Sequence, residues 1–272
     1  MVMTLAHPNQ YSHEDTVTFR PGSEHRLQTL TSLVGRHATL NTIEYAEQWP
    51  LHYAVWTGDS ATARLLLRRQ ADVDARDIVG HTPLHCAAKA GWGGVITDLL
   101  LAHCASVNAR DYRGATPLHY AVEDGYTAVA LLLLSYGADL TLADHRGETP
   151  LHSAVNRGPA RLVNFLLASG ADVQTRDRLG GTPLHAAARL GDEEMVRTLL
   201  LHGAEIDAQD DEGATALHNA VLQQHVSMVA VLLTNGARGD ICDGHGRMPN
   251  DLLTSTADSH ETAQLRALLC PQ

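Results

Sequence analysis

Lysine is almost absent from this chain: Lys89 stands alone among 20 cationic side chains, the rest being arginines. Positive charge is therefore presented as planar, multi-donor guanidinium groups suited to carboxylate recognition, although a coding bias toward arginine accounts for the same composition. A cationic excess is missing too. The formal net charge is −11, and attraction to a polyanion needs clustered Lys and Arg that release counterions, so direct nucleic-acid binding is not expected. Aromatic residues are only 4% of the chain, and beyond Tyr136 Phe165 alone remains, so a folded second half must rest on Leu, Val and Ala. Cys86, Cys104, Cys242 and Cys270 show no CxxC spacing, which argues against a disulfide framework and a zinc site and suits a reducing compartment. The longest apolar run, Ala128 to Leu134, is far short of the ~20 residues that cross a bilayer. Residues 1–10 have neither the basic start nor the apolar stretch of a secretory signal. The expectation is a soluble protein of the cytoplasm and/or nucleus, with no membrane partner.

What the chain does contain is repetition. GHTPLHCAAKAG (80–91) returns as GATPLHYAVEDG (114–125), GETPLHSAVNRG (147–158) and GGTPLHAAARLG (180–191), and with changes as EQWPLHYAVWTG (47–58) and GATALHNAVLQQ (213–224). Asp77, Asp111, Asp144, Asp177, Asp210 and Asp243 recur at spacings of 34, 33, 33, 33 and 33, and a fixed period of that size signals a solenoid. Residues 177–209 read as a turn over Asp177 to Gly180, a helix from Pro183, a break at Gly191, a second helix through Val196 and Leu199 to Leu201, and a stop at Gly203. Thr182 sits where a hydroxyl can cap free N–H groups, and Pro183 takes the first helical position without wasting a donor. One such unit cannot bury its leucine face alone; stacked units can.

The pattern DxxGxTPLHxAAxxG, followed by paired leucines and endings such as Gly137-Ala138-Asp139 and Gly170-Ala171-Asp172, resembles the ankyrin-repeat family over residues 44–270. The resemblance implies an all-α-rich solenoid of short β-hairpin turns and antiparallel helix pairs. It also implies a bracing role between adjacent repeats for His52, His85, His119, His152, His185 and His218. Six repeats are expected, at 44–76, 77–110, 111–143, 144–176, 177–209 and 210–242. Residues 1–20 read as a disordered leader, 21–43 as an N-terminal half-repeat cap and 243–272 as a C-terminal capping repeat. Repeat two has one additional residue between Gly91 and Leu99, beside Gly93 and Gly94, so its second helix should start late or bulge.

Catalytic and metal-binding readings fare poorly. Six of the 17 histidines belong to the repeat motif, and the others do not group among themselves at HxxxH or HxH spacing. The acidic run Asp192 to Glu212 lacks the alternating ligand spacing of a calcium loop and reads as a solvated face. Cys86 reads as a small half-buried side chain rather than a reactive thiol. No GxxxxGK[ST] or strand-anchored GxGxxG occurs. No enzyme, cofactor or metal is expected.

The resemblance implies that hairpin tips and first helices line a concave surface that grips another protein. Those slots hold Tyr53 and Trp56, then Ile78 and Val79, then Tyr112, Arg113 and Tyr120, then Arg146 and Arg157, then Arg178 and Arg189. The aromatics suggest apolar anchors, since interface hot spots favour Trp and Tyr; shielding of the end repeat explains Trp56 equally well. From His145 to Gly191 six arginines face Glu148, Asp172 and Asp177, a local excess of +3, which points to an acidic partner segment with apolar anchors. Pairing of those arginines with carboxylates of adjacent repeats is the alternative. The expected function is a monomeric, non-enzymatic interaction scaffold or adaptor with a regulatory role such as transcription coregulation. The competing class is a substrate-recognition or assembly subunit of an enzyme complex such as a ubiquitin ligase. If the threonine of the motif is structural, Thr182→Ala costs about 1 kcal/mol of stability, measured by urea denaturation; loss of a binding activity at unchanged stability would contradict that role.

Overall fold

The computed structural model describes residues 50–255 and 260–269, within the unit Thr39–Gln272. The expected leader, the expected half-repeat cap and the first residues of repeat one lie outside them. Among the described residues there are thirteen α-helices, one 3-10 helix and no strand. No helix among them is long and apolar enough to cross a membrane.

The helices come in pairs: α1 (Pro50–Trp56) with α2 (Ser60–Arg68), α3 (Pro83–Ala90) with α4 (Val95–Ala102), α5 (Pro117–Glu123) with α6 (Thr127–Ser135). Then follow α7 (Pro150–Arg157) with α8 (Ala160–Ala168), α9 (Pro183–Leu190) with α10 (Glu193–Leu201), and α11 (Ala216–Leu222) with α12 (Val226–Thr234). First helices stack on first helices and second helices on second helices. At the C-terminal end the 3-10 helix Pro249–Ser255 packs on α11, and α13 (His260–Leu269) packs on α12 and on that 3-10 helix. The core is the seam between the layers, where Leu84, Leu118, Leu151, Leu184 and Leu217 of the first helices and Leu66, Leu100, Leu133, Leu166 and Leu199 of the second are fully buried or nearly so. Small residues such as Ala87, Ala121 and Ala187 are also buried and let neighbouring first helices approach closely.

The periodic aspartate makes the turn. Asp77 Oδ1 accepts the backbone N–H groups of Val79 and His81 at 2.9 and 2.8 Å, and Asp111, Asp144, Asp177, Asp210 and Asp243 each accept from the residues two and four ahead in the same way. A short acceptor side chain that satisfies local N–H groups favours a turn over a helix or strand. The hairpins are too short to become strands, but adjacent ones are joined by a single backbone bond, as in Tyr112 N to Val79 O at 3.1 Å.

The motif histidine links each repeat to the next. In five repeats its Nδ1 accepts the threonine N–H three residues earlier at 3.0 to 3.2 Å, with the threonine hydroxyl beside the same nitrogen. Since Nδ1 accepts, the proton of the neutral ring is on Nε2. Nε2 donates to a backbone carbonyl of the following hairpin: His81 from His52, then Ala115, Glu148, Gly181, Ala214 and Arg247, at 2.9 to 3.4 Å. The threonine hydroxyl thus faces the imidazole, and histidine caps the threonine N–H, a capping box with histidine in the place of glutamate.

A second contact explains two of the scarce aromatics. A methyl group at Gly91 would lie 2.5 Å from the Tyr126 ring and one at Gly58 would lie 2.8 Å from Trp92, so each ring covers a glycine of the preceding repeat. Trp92 also donates its indole N–H to the Trp56 carbonyl at 3.1 Å. In repeat two the second helix α4 has 8 residues where the other second helices have 9. It begins after Gly94, whose φ of 99° only glycine adopts readily, as the additional residue predicts.

Burial lowers the pKa of His52, His85, His119, His152 and His185, His85 to about 4. A lowered folded pKa means that the stability these rings contribute is present above pH ~6.5 and is lost as pH falls through the folded values. His85 alone accounts for roughly 3 kcal/mol at ~1.4 kcal/mol per pK unit. Urea denaturation at pH 7.5, 6 and 5 should therefore show a falling unfolding free energy well above the range where carboxylates titrate; a flat profile down to pH 5 would contradict the neutral brace.

Candidate functional site

The tips of the hairpins are occupied in chain order by Ile78-Val79, Tyr112-Arg113, His145-Arg146, Arg178-Leu179, Asp211-Glu212 and Gly244-His245. Each tip hydrogen-bonds to the next: Val79 to Tyr112, Arg113 to His145, Arg146 to Arg178, Leu179 to Asp211 and Glu212 to Gly244, at 2.7 to 3.1 Å. The tips therefore form one continuous edge. The aspartates take N–H groups of each turn, the side chains of Tyr112, His145 and Asp211 lie against the glycines of the preceding turns, Gly80, Gly114 and Gly180, and Arg146 folds back onto Asp144 and Glu148. Ile78 is 71% exposed, Tyr112 62% and Leu179 75%; exposed apolar residues are ordinary when scattered, and what sets these apart is that they share one bonded edge.

Of the residues expected to contact a partner, Ile78, Val79, Tyr112, Arg113, Arg146, Arg157, Arg178 and Arg189 are exposed, all but Arg157 and Arg189 on this edge. Tyr53 and Trp56 are half-buried on α1, where the Trp56 carbonyl serves Trp92. Tyr120 is a different case: it is 6% exposed, and its hydroxyl donates to Asp111 Oδ2 at 2.7 Å, so it belongs to the interior rather than to an anchor site. The basic strip is thinner than its arginine count. Arg146 pairs with Asp144 and Glu148, at 3.4 and 2.6 Å, and Arg157 pairs with Glu123 of the preceding repeat at 3.0 Å, the arrangement that competes with ligand binding. Arg176 donates to the carbonyls of Gly180 and Gln209, as Arg76 does to those of Gly80 and Arg110. Among the described residues, Arg113 and Arg178 are the tip guanidiniums without an ion pair, whereas Arg146 has two.

A further polar cluster centres on His81, which the repeat pattern does not single out. His81 sits just before a TPLH motif, where the other repeats have Ala115, Glu148, Gly181, Ala214 and Arg247, and with the brace histidine His85 it forms an HxxxH pair. Its Nδ1 is 3.5 Å from Asp77 Oδ2, and its Nε2 is 3.1 Å from the Tyr120 hydroxyl and 3.5 Å from Asp111 Oδ2. The His85 ring stacks on it at 5.6 Å, and Lys89 lies over the Tyr120 ring at 5.6 Å. Tyr120 donates to Asp111, so its oxygen accepts from His81 Nε2–H. Asp77 and Asp111 belong to successive hairpins, and a protonated His81 bridges them. The neighbouring thiol of Cys86 is pushed up to about 12 by burial and by Asp77, which keeps it protonated and unreactive. Among the described residues no cluster of three His, Cys, Asp or Glu side chains is arranged to hold a metal ion.

Burial opposes protonation of His81, but the two aspartates outweigh it and the pKa is raised. The sign is opposite to that of the brace: the stabilisation from His81 is complete below pH ~6.5 and is lost as pH rises through its folded pKa. The destabilisation caused by His81→Ala should thus be larger at pH 6 than at pH 9, measured by denaturant unfolding of both proteins. Equal differences at the two pH values would show that the imidazolium does not bridge the hairpins.

The family model described as ankyrin repeats (3 copies) matches residues 51–144 and 151–243. NF-kappa-B inhibitor alpha of Gallus gallus is 40% identical over 65 residues, 24% of this chain and 20% of that protein. Its counterpart from Rattus norvegicus is 40% identical over 72 residues, 25% and 23% of the two chains. The matched segments thus span about a fifth of the length of these curated relatives. Among solved structures, the ankyrin repeat domain of Bcl-3, described as a unique member of the IkappaB protein family, is 30% identical with a TM-score of 0.69 over 83% of this chain and 99% of that one. The ankyrin repeat domain of human ASB11 is 30% identical with a TM-score of 0.73 over 82% and 99%. With well over half of the chain matched by the family model, and two such domains overlaid almost end to end, the protein belongs to the ankyrin-repeat family.

Proposed function

We propose that the protein is a non-enzymatic interaction scaffold with a regulatory role, acting as a transcription coregulator that holds a partner protein without touching DNA. The observation that carries this reading is the row of exposed Ile78, Tyr112 and Leu179 on turns that the hairpin aspartates and the tip-to-tip backbone bonds hold in place. A backbone already fixed beneath these side chains avoids the cost of ordering a loop on binding. The regulatory part is supported by analogy, since the relatives are named as inhibitors of NF-kappa-B and Bcl-3 as a member of the IkappaB family; fold-level analogy supplies the class of role, not its partner. The chain would work in the cytoplasm and/or the nucleus, as a monomer, and its net charge of −11 disfavours DNA as the direct ligand.

A photo-crosslinking amino acid in place of Tyr112, compared with the same residue in place of exposed Arg64 on α2, tests the reading in cells. Protein adducts specific to position 112 that include a DNA-binding transcription factor are expected. Identical adducts from both positions would remove the edge as an interface, and adducts made mainly of ubiquitin-ligase subunits would favour the assembly-subunit role instead.

A further inference from the structure

We propose that the hairpin edge is a directional dock for an extended partner segment with an apolar residue, an acidic centre, a second apolar residue and then a basic residue, aligned from Ile78 toward Glu212. The inference rests on the scaffold reading and specifies its ligand. Four observations carry it. The edge is continuous, because each tip is bonded to the next through the backbone. It begins with three exposed apolar residues together, Ile78, Val79 and Tyr112, and has one more, Leu179, two tips beyond Tyr112. Between these lie Arg113, His145, Arg146 and Arg178, with no carboxylate at a tip. Beyond Leu179 the sign reverses at Asp211 and Glu212, both exposed.

The charges at the centre are not equal in availability. Arg146 is held by Asp144 and Glu148, so the attraction for an acidic segment comes from Arg113 and Arg178, on either side of it, whose guanidiniums can take carboxylates in two-point contacts. Stacked helices lie about 8–10 Å apart, which puts Tyr112 and Leu179, two repeats apart, roughly 20 Å from each other. An extended chain rising ~3.3 Å per residue covers that distance in about six residues. The apolar anchors of the ligand should therefore be about six residues apart with the acidic residues between them. A duplex or other polyanion fits the centre of the edge but not its acidic end, where each phosphate would face Asp211 and Glu212.

The test is selection of a random 12-residue phage-displayed peptide library on the immobilised full chain, followed by affinity measurement with synthetic copies of the enriched peptides. Enrichment of peptides with an acidic centre between two apolar residues is expected. Their affinity should fall at least tenfold with Arg113→Glu combined with Arg178→Glu, remain within twofold with Arg64→Glu, and be recovered on the doubly reversed protein when lysines replace the acidic residues of the peptide. Circular dichroism of each variant confirms folding, and Arg113→Gln with Arg178→Gln gives a milder second pair. Enriched peptides without an acidic centre, but weakened by Tyr112→Ser and Leu179→Ser, overturn the ligand chemistry and leave the scaffold reading intact. Peptides indifferent to every tip substitution, or no enrichment at all, overturn both. Displacement of the acidic peptide by a short DNA duplex at equal charge assigns the edge to polyanions and also overturns the proposal.

Discussion

A neutral imidazole held between two backbone groups is the constraint on which the rest of the structure depends. In each complete motif its Nδ1 takes the N–H of the threonine that starts the first helix, and its Nε2–H is given to a carbonyl in the following hairpin. One side chain thereby begins a helix and positions the next turn. Both ring nitrogens must keep their assigned roles, and burial keeps the ring neutral. Because the partner carbonyl always lies one repeat ahead, no unit is complete without its neighbour, which is the energetic meaning of a solenoid.

Charge is divided in the same way between frame and surface. The inner carboxylate oxygen of each hairpin aspartate satisfies backbone donors, and the outer oxygen is left for whatever side chain comes near: Tyr120 and His81 at Asp111, Arg146 at Asp144, Arg247 at Asp243. Arg76, Arg110 and Arg176 each reach a carbonyl of the following repeat. Ala143, at the corresponding place between Arg110 and Arg176, has no such side chain. The arginines most prominent in the composition are therefore largely internal to the frame. Those left at the edge, Arg113 and Arg178, matter because the others are already occupied.

A frame this fully determined leaves only certain side chains free to vary in role. The hairpin tips are bonded to one another through the main chain, so the turn is set by the backbone and the aspartate, although Tyr112, His145 and Asp211 also cover the glycine of the preceding turn. An apolar, then basic, then apolar, then acidic sequence of tips is informative about a ligand, because covering a glycine does not require that order of apolar and charged residues.

Much of the fold was legible because the relevant interactions are local. An aspartate two and four residues before the N–H groups it binds, a threonine three before its histidine, and a proline at the first helical position act within a few residues, so their period announced the architecture, and the additional residue near Gly93 announced the late start of α4. The candidate surface was less legible. Tyr120 and Tyr112 have the same residue type and both fall in variable slots, yet one is interior because Asp111 folds back over its hydroxyl and the other is exposed. Arg146, Arg157 and Arg178 look alike in a count of charge, and only their distances from Glu148 and Glu123 separate the paired from the free. His81 acquires its importance from Asp111 and Tyr120, 30 and 39 residues away. Sequence alone determined the repeat and its turns, since these rest on contacts along the chain; tertiary structure alone decided which charges and aromatics remain available, since that depends on what stacking brings beside them.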